Sequence, residues 1–276
     1  MKDLVLQVKN MSKVYGDGCP YCEGGKNLIK NFCPHCKTVY ATRNINFELY
    51  KGEILGIVGE SGSGKSTLMK SLYFDLDVSE GEYYLRDYKN GQANIYRASI
   101  YEKKNIRNNL LGMVYQNPVY GLRMNFSSIS NIAEKMIAAG HRNVQGIRER
   151  GDELLKKVDI EVLRAKEAPK NFSGGMQQRV QIAKALSNNP PVLLLDEVTT
   201  GLDLSVQADV LDLIKTIQRD LEISMIIVSH DLAIIRMLAD RTLVMHNGVI
   251  IEAGLTDQIL EDPQNEYTQQ LVYSLI

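Results

Sequence analysis

GESGSGKS, residues 59–66, is the stretch that decides how this 276-residue chain folds. It follows the apolar run EILGIV and precedes GKSTLMKSLYF, which has the pattern of a helix. The spacing G-x-x-x-x-G-K-[ST] between a strand and a helix predicts a phosphate-binding loop, because successive backbone N–H groups and the helix N-terminus then face one anion. Lys65 would reach the β- and γ-phosphates of a nucleotide, and the Ser66 hydroxyl would bind Mg²⁺. The candidate nucleotide-binding residues here are Gly59, Ser61, Gly62, Gly64, Lys65, Ser66 and Thr67.

A second segment suited to phosphate chemistry is VLLLDE, residues 192–197, an apolar run that ends in two acids. Taken alone, such a run is a common strand exit. Downstream of a phosphate loop, it predicts the place where Mg²⁺ and water are held. Asp196 would hold Mg²⁺ through its water shell, and Glu197 would act as general base for the attacking water.

Predicted strands and helices alternate around these two segments. Buried-strand patterns occur at EILGIVG, PVLLLDEV and SMIIVSH, whereas SVQADVLDLIKTIQRDL and the C-terminal YTQQLVYSLI have helical patterns. Two half-buried strands come earlier, one at Leu4–Val8 and one at NINFELYKG. Residues 99–170 are mostly helical in pattern, with apolar residues three and four apart. The sequence therefore predicts an α/β fold with a mainly parallel sheet, interrupted by a helical subdomain.

Composition limits the classes of protein to consider. The chain is 44% hydrophobic and 24% charged, with a net charge of −1, so it lacks the basic field of a nucleic-acid-binding protein. The opening MKDLVLQVKN lacks the apolar core of a signal peptide. The longest apolar runs, PVLLL and MIIV, are far shorter than the roughly 20 residues of a membrane span. We therefore expect a cytoplasmic protein that has no nucleic-acid partner and meets a membrane only through another protein.

The segment FSGGMQQRVQIAKAL, residues 172–186, indicates the family. It resembles the Leu-Ser-Gly-Gly-Gln signature of ATP-binding cassette (ABC) ATPases, with Phe172 in place of Leu and Met176 followed by Gln177 in place of Gln. Val198 stands where many members of the family carry proline after the catalytic glutamate. The residues that match other family elements, in chain order, are Tyr15 for adenine stacking, Gln116 of the Q-loop, Ser173, Gly174 and Gly175 of the signature, Asp203 of the D-loop and His230 as the switch histidine.

The resemblance implies a single ABC ATPase domain over residues 1–276. Its expected parts are a P-loop NTPase nucleotide-binding domain with a RecA-like core, an antiparallel β subdomain, the helical subdomain at 99–170 and a cysteine-containing insertion at 17–40. The family's catalytic roles fall on Glu197, His230 and Gln116, with Ser66 and Gln116 as magnesium ligands. In this family, two subunits pair head to tail, and the signature of one closes over the ATP held by the phosphate loop of the other.

Two regions resemble one branch of the family. PQNEYTQQLV is similar to the His-Pro-Tyr-Thr-type segment of peptide- and nickel-importer ATPases and of their relatives in the carbon–phosphorus lyase system. GLR followed by SNIAEKMIAAGHRNVQGIR resembles the PhnK-type subunits of that system. The resemblance implies a homodimer acting on soluble carbon–phosphorus lyase subunits in phosphonate breakdown. One alternative is the ATPase of an oligopeptide, nickel or phosphonate importer with membrane permease subunits, and another is a soluble assembly or activation ATPase of a different anaerobic metalloenzyme.

All four cysteines lie in CPYCEGGKNLIKNFCPHC, residues 19–36, with the spacing C-x₂-C-x₁₀-C-x₂-C. Two Cys-x-x-Cys knuckles can bring four thiolates to a tetrahedron around Zn²⁺. Gly24 and Gly25 permit the positive φ that a knuckle needs, whereas the second knuckle has Lys37 and Thr38 at the equivalent places. The candidate zinc ligands are Cys19, Cys22, Cys33 and Cys36.

A structural zinc ribbon is the favoured interpretation, and an iron–sulfur cluster, disulfides and unliganded thiols remain alternatives. Disulfides require an oxidising compartment. His35, inside the second knuckle, could replace one sulfur, but an exposed neighbour is the simpler reading. Four thiolates leave no coordination position for water, so no catalytic role is expected for the metal. Because Tyr15 lies four residues before Cys19, we expect the insertion to lie beside the nucleotide site and to contact a partner or steady Tyr15.

Overall fold

The computed structural model describes residues 3–273 and divides into two compact units. The first unit contains the chain up to Ser99 and again from Ile227, and the second contains Ile100–Ile226. None of the helices within residues 3–273 is both long enough and apolar enough to span a membrane. The last three residues of the predicted C-terminal helix, 274–276, lie outside the described part of the chain.

Strands and helices follow one another along the whole described chain. The strands are β1 (Leu4–Tyr15), β2 (Val39–Tyr50), β3 (Ile54–Val58), β4 (Glu80–Leu85), β5 (Leu111–Val114), β6 (Val192–Asp196), β7 (Ser224–Val228), β8 (Arg241–His246) and β9 (Val249–Leu255). The helices are α1 (Lys65–Leu72), α2 (Ile100–Asn109), α3 (Pro118–Gly121), α4 (Ser128–Ala138), α5 (Val144–Lys157), α6 (Gly174–Ala185), α7 (Leu204–Leu221), α8 (Leu232–Leu238), α9 (Thr256–Glu261) and α10 (Glu266–Tyr273).

An antiparallel sheet in the order β2-β1-β4 belongs to the first unit. Of the alternating apolar residues noted in β1, Leu6 and Val8 are buried and Leu4 is exposed, and the register pairs Leu6 with Leu49 and Val8 with Phe47. The connection between β1 and β2 contains all four cysteines. The antiparallel β subdomain is therefore confirmed, and the cysteine segment is an insertion within its first hairpin.

Strands with continuous apolar runs are buried, as parallel strands should be. In the first unit, β3 pairs in parallel with β8, which pairs antiparallel with β9. In the second unit, β5 and β6 are parallel neighbours. Every residue of β3, β5 and β6 is buried. These pairs confirm the predicted α/β class.

Short polar side chains start the helices of the second unit. Ser127 caps α4 by accepting a hydrogen bond from the N–H of Ser130, and Asn143 caps α5 by accepting one from Gly146. The stretch that the sequence pattern marks as helical, 99–170, also contains β5. This strand is four residues long, too short to display the periodicity that distinguishes strand from helix.

Lys135 of α4 is an unusual member of the buried interior of the second unit. Its exposed fraction is 7%, and its Nζ donates to the carbonyl oxygens of Leu111 at 2.6 Å and Ala185 at 3.3 Å. Since α6 ends at Ala185, the amine caps the C-terminus of that helix. Burial, and then the neighbouring charges of Lys184 and Arg107, lower the pKa of Lys135 to about 7.

We expect Lys135→Met to flatten the dependence of stability on pH. Folded Lys135 loses its proton near pH 7, whereas a lysine in the unfolded chain keeps it up to about pH 10.4. Between these values the unfolded state binds more protons. The free energy of unfolding therefore rises with pH, by up to about 1.4 kcal/mol per pH unit for one site. Urea unfolding at pH 7, 8 and 9 should show a smaller rise in Lys135→Met than in the wild type.

Lys104→Met provides the matched control, because it makes the same substitution at an exposed position of α2. It should keep the wild-type slope of unfolding free energy against pH. Equal slopes in the wild type and in Lys135→Met would contradict the lowered pKa.

Candidate nucleotide site and cysteine cluster

The phosphate loop of the first unit lies between the end of β3 and the start of α1. Gly59, Gly62 and Gly64 all have positive φ, so the loop curls in a way that side chains with a Cβ would resist. At Gly64 a Cβ would also stand 2.3 Å from the carbonyl oxygen of Ala41 in β2. The backbone can therefore close around an anion only because this position is glycine.

The Lys65 ammonium folds over this loop. It donates to the carbonyl oxygens of Gly59 at 2.6 Å and Glu60 at 2.9 Å, and it is 5% exposed. Ser66 and Thr67 follow in the first turn of α1, with Ser66 exposed and Thr67 half-buried. A cation, a hydroxyl and the N-terminus of an eight-residue helix thus meet at one place, which is the arrangement that binds a phosphate chain.

Two further residues predicted to contact the nucleotide lie on the surface of the first unit. Tyr15 ends β1 with 44% of its area exposed, and the Lys13 ammonium lies 5.0 Å from the centre of its ring. His230 follows β7 and is exposed, and the next residue, Asp231, caps α8 by accepting from the N–H of Ala233. Both side chains have the accessibility that contact with a nucleotide requires.

Neighbouring parallel strands bring Gln116 and Glu197 together in the second unit. The register pairs Val114 of β5 with Leu195 of β6, so the residues that follow the two strands emerge at the same edge. The Gln116 amide Nε2 donates to Glu197 Oε2 at 2.8 Å, and the Thr200 hydroxyl donates to the same oxygen at 3.3 Å. The sequence predicted both residues as catalytic, and the structure places them in direct contact.

Glu197 and Asp196 differ in conformation although they are adjacent. Asp196 is the last residue of β6 and is 5% exposed. Glu197 has a φ of +46°, a conformation that is uncommon for a residue with a side chain and is often found at functional sites. Val198, in the place of the family's proline, is buried.

The signature segment forms the N-terminus of α6 in the second unit. Ser173 is the capping residue, and its hydroxyl accepts from the N–H of Met176 at 3.4 Å. Gly174 and Gly175 occupy the first turn. Asp203 is exposed and precedes α7.

Two residues that differ from the family signature make contacts that stabilise the segment before α6. Phe172 is buried, as the family's leucine would be, and the Arg164 guanidinium lies 4.6 Å from the centre of its ring. Gln177 donates to the carbonyl oxygens of Pro169 and Phe172, both at 3.1 Å. These contacts hold the loop that leads into the signature, and they leave Ser173 at the helix end.

The four cysteines form one cluster. Their Sγ atoms all lie within 4.8 Å of one another, and the distances are 3.7 Å for Cys19–Cys22, 3.8 Å for Cys19–Cys33 and 3.5 Å for Cys22–Cys36. Four thiolates at about 2.3 Å from one zinc ion define a tetrahedron with edges of about 3.8 Å. The cysteines are free thiols, so the disulfide alternative does not describe this structure.

Both knuckles have the turns that the sequence analysis anticipated. Gly24 and Gly25 have positive φ, and in the second knuckle Lys37 adopts a φ of +62° without a glycine. Hydrogen bonding with the side chain and then the backbone of Thr38 lowers the pKa of Cys36 to about 6, whereas the pKa of Cys19 is raised to about 11. His35 stacks on Tyr21 with ring centres 4.1 Å apart and is not among the clustered ligands.

Tyr267 is a contact of the phosphate loop that the sequence analysis did not assign. Its hydroxyl oxygen accepts from the N–H of Glu60 at 3.0 Å, and its ring stacks on His246 at 3.8 Å. The tyrosine belongs to the PQNEYTQQLV segment, which the sequence analysis used only as a family resemblance. That resemblance was the one signal that could have indicated it.

Comparisons with known sequences agree with these elements. A family model described as ABC transporter matches residues 42–200. The phosphonates utilization ATP-binding protein PhnK of Escherichia coli K12 is 44% identical over 233 residues, which cover 84% of this chain and 90% of that protein. The oligopeptide transport ATP-binding protein OppD of Bacillus subtilis 168 is 36% identical over 252 residues, which cover 91% of this chain and 70% of that protein.

Solved structures show the same fold. The dimeric ATP-binding cassette MJ0796, in a post-hydrolysis state bound to ADP and phosphate, matches with a TM-score of 0.74 and 29% identity, covering 91% of this chain and 98% of that one. CbiO1 of Clostridium perfringens, part of the ABC transporter complex CbiONQ, matches with a TM-score of 0.75 and 26% identity. The match covers 95% of this chain and 92% of that one. The chain therefore belongs to the ATP-binding cassette family and is an ABC ATPase.

Proposed function

We propose that this ABC ATPase works as a homodimer on a soluble carbon–phosphorus lyase complex that breaks down phosphonates in the cytoplasm. The observation that carries the proposal is the 44% identity to PhnK over 90% of that protein. The importer ATPase OppD is less similar, at 36% identity, and this chain covers 70% of its length. The segment after Gln116, which belongs to the helical part where ABC ATPases meet their partners, is also similar to PhnK-type subunits.

In this proposal the first unit binds the nucleotide. The N–H groups of the phosphate loop donate to phosphate oxygens, and Lys65 exchanges its two loop carbonyls for the β- and γ-phosphates. The exposed ring of Tyr15 stacks on adenine, and the hydroxyl of Ser66 binds Mg²⁺. His230 contacts the γ-phosphate as the switch histidine.

The second unit activates water in this proposal. The Glu197 carboxylate accepts a proton from the attacking water, and the Gln116 amide nitrogen holds that carboxylate in place. The amide oxygen of Gln116 would be left to bind Mg²⁺, and Asp196 would hold the water shell of the ion. Hydroxyl, amide and carboxylate oxygens are the ligands that Mg²⁺ prefers, so this set fits the ion.

The site is completed by a second copy of the chain. The N-terminus of α6, where Ser173 and Gly174 are exposed and Gly175 is buried, closes over the γ-phosphate held by the partner, and Asp203 lies at the same head-to-tail interface. The dimeric state of MJ0796 supports the formation of a dimer. Hydrolysis removes the γ-phosphate contacts and so weakens the dimer.

The cysteine cluster holds Zn²⁺ in this proposal. The Sγ spacings of 3.5–3.8 Å support a single tetrahedral ion. In a cubane cluster each thiolate binds a different iron, which places the sulfurs farther apart, so the spacing disfavours the iron–sulfur alternative. The ligands are Cys19, Cys22, Cys33 and Cys36, and the ion has a structural role because no position is left for water.

A membrane importer ATPase is the second candidate, favoured by the similarity to OppD. It predicts the same nucleotide chemistry but permease subunits as partners. A soluble assembly ATPase for another metalloenzyme is the third. The three functions differ in what the chain binds, and an experiment on partners distinguishes them.

We expect Glu197→Gln to bind ATP and form a stable dimer while losing roughly 10²–10⁴-fold in turnover, because the amide cannot accept the proton of water. Phosphate release measures turnover, and gel filtration with ATP and Mg²⁺ measures the dimer. Glu222→Gln is the matched control, since Glu222 also has a positive φ but is the capping residue that follows α7. Wild-type turnover in Glu197→Gln would contradict the assignment of the general base.

We expect the tagged chain, purified from its own cells, to retain soluble carbon–phosphorus lyase subunits that mass spectrometry identifies. Capture of permease subunits instead would support the importer function and contradict ours, as would capture of neither. Tyr120→Ala should reduce capture while ATP hydrolysis persists, because Tyr120 is 78% exposed beside the Q-loop. Leu163→Ala, at a residue 92% exposed in another part of the second unit, is the control.

We expect the purified protein to be colourless and to contain about one zinc ion per chain. Cys33→Ser should lose the metal, since it removes a buried ligand. His35→Ala should retain it, because His35 is outside the cluster. Elemental analysis and an absorbance spectrum identify the metal. A brown protein with iron and sulfide would contradict the zinc assignment.

A further inference from the structure

Residues Tyr40–Arg43 of β2, here called the wall segment, are hydrogen-bonded to the backbone of the cysteine insertion. The Tyr40 hydroxyl donates to the carbonyl oxygen of Cys22 at 2.7 Å and lies 3.7 Å from the Cys22 Sγ. The Arg43 guanidinium donates to the carbonyl oxygen of Gly25, in the turn that follows Cys22. Two side chains of the wall segment thus attach it to the first knuckle.

The backbone of the wall segment also packs against the phosphate loop. The Ala41 carbonyl occupies the space where a Cβ on Gly64 would stand. Gly248 bridges the two parts, because its N–H donates to the carbonyl of Ser63 at 3.0 Å and its carbonyl accepts from the N–H of Arg43 at 2.7 Å. A Cβ on Gly248, whose φ is +81°, would stand 2.6 Å from a wall-segment carbonyl. The loop and the wall segment therefore cannot move independently.

Backbone turns, the stacked rings of Tyr21 and His35 and the cysteine cluster hold the cysteine insertion together. Between residues 19 and 36, the buried residues are Cys22, Gly25 and Cys33, so the segment has no apolar core of its own. One isolated bridge, between Ile29 and Phe32, is its internal sheet pairing. A segment of this kind acquires its structure from metal binding, and the free energy of binding is then free energy of folding.

We infer that the metal in the cysteine cluster sets the affinity of the phosphate loop for nucleotide, acting through the wall segment. This rests on the metal site proposed above. An occupied cluster fixes Cys22 and Gly25, which fix Tyr40 and Arg43, and these hold the backbone against which the phosphate loop closes. Tyr40 and Arg43 are positioning residues, because they touch the loop's neighbours and not the nucleotide.

The coupling has to act in both directions. If the metal strengthens nucleotide binding, then nucleotide strengthens metal binding by the same factor. Loss of one ordering hydrogen bond corresponds to roughly a two- to tenfold change in affinity. The insertion thereby makes ATP binding responsive to metal supply, although it contributes no atom to the reaction.

The experiment uses the full-length protein, zinc-loaded or stripped with a chelator, and measures the dissociation constant of ATP by fluorescence titration. We expect stripped protein to bind ATP roughly two- to tenfold more weakly and to recover on addition of ZnCl₂. With Co²⁺ as a coloured probe of the cluster, ATP should slow the loss of the thiolate absorption to chelator by a corresponding factor.

Tyr40→Phe tests the connection without removing the metal. It keeps the ring and loses the hydroxyl that donates to Cys22, so it should raise the KM for ATP while leaving kcat at saturation and metal content unchanged. Tyr21→Phe is the matched control, because Tyr21 lies on the exposed side of the first knuckle against His35. This variant should match the wild type in both constants.

Equal ATP affinity in stripped and zinc-loaded protein would overturn the inference and leave the metal site standing. A purified chain with no metal would overturn the metal site and the inference together. If stripped protein does not stay folded, the Tyr40→Phe measurement decides alone, and a KM equal to that of Tyr21→Phe overturns the coupling.

Discussion

The close approach of the β2 backbone to the phosphate loop is the constraint on which the first unit depends. The Ala41 carbonyl fills the space beside Gly64 that a side chain would need. A loop that binds phosphate with backbone N–H groups has few side chains of its own to define its shape. Its shape is set instead by neighbours: β2, Gly248 and the Tyr267 hydroxyl each bond or abut one part of it. Residues far from the phosphates therefore control the geometry of the anion site.

In the second unit, the ends of two parallel strands position the Glu197 carboxylate. Parallel strands β5 and β6 end at one edge, and the residues that follow them meet there. Glu197 then takes a positive φ, at a cost of order 1–3 kcal/mol for such strained residues, and its carboxylate reaches the Gln116 amide. The strain is tolerated because buried Val198 and the following turn fix the backbone.

What the sequence predicts, and what it does not, follows from the range of the interactions involved. The phosphate loop, the signature and the cysteine knuckles were predicted because their chemistry lies in spacings of a few residues. The buried strands β3, β6 and β7 followed from continuous apolar runs. By contrast, the bond from Glu60 to Tyr267 joins residues 207 positions apart, and no local pattern encodes it. The strand β5 escaped the sequence analysis because four residues do not establish a period.

The cysteine insertion shows how the two kinds of information combine. Its spacing predicted a metal site beside Tyr15 but left its purpose open between contacting a partner and steadying Tyr15. The side chains of Tyr40 and Arg43 donate hydrogen bonds to the insertion, and both residues belong to the strand that abuts the phosphate loop. Because the insertion has no apolar core, it is expected to take up a fixed structure only when a metal is bound. In our proposal this support depends on bound metal, and the insertion would then act as a metal-dependent regulator of nucleotide binding.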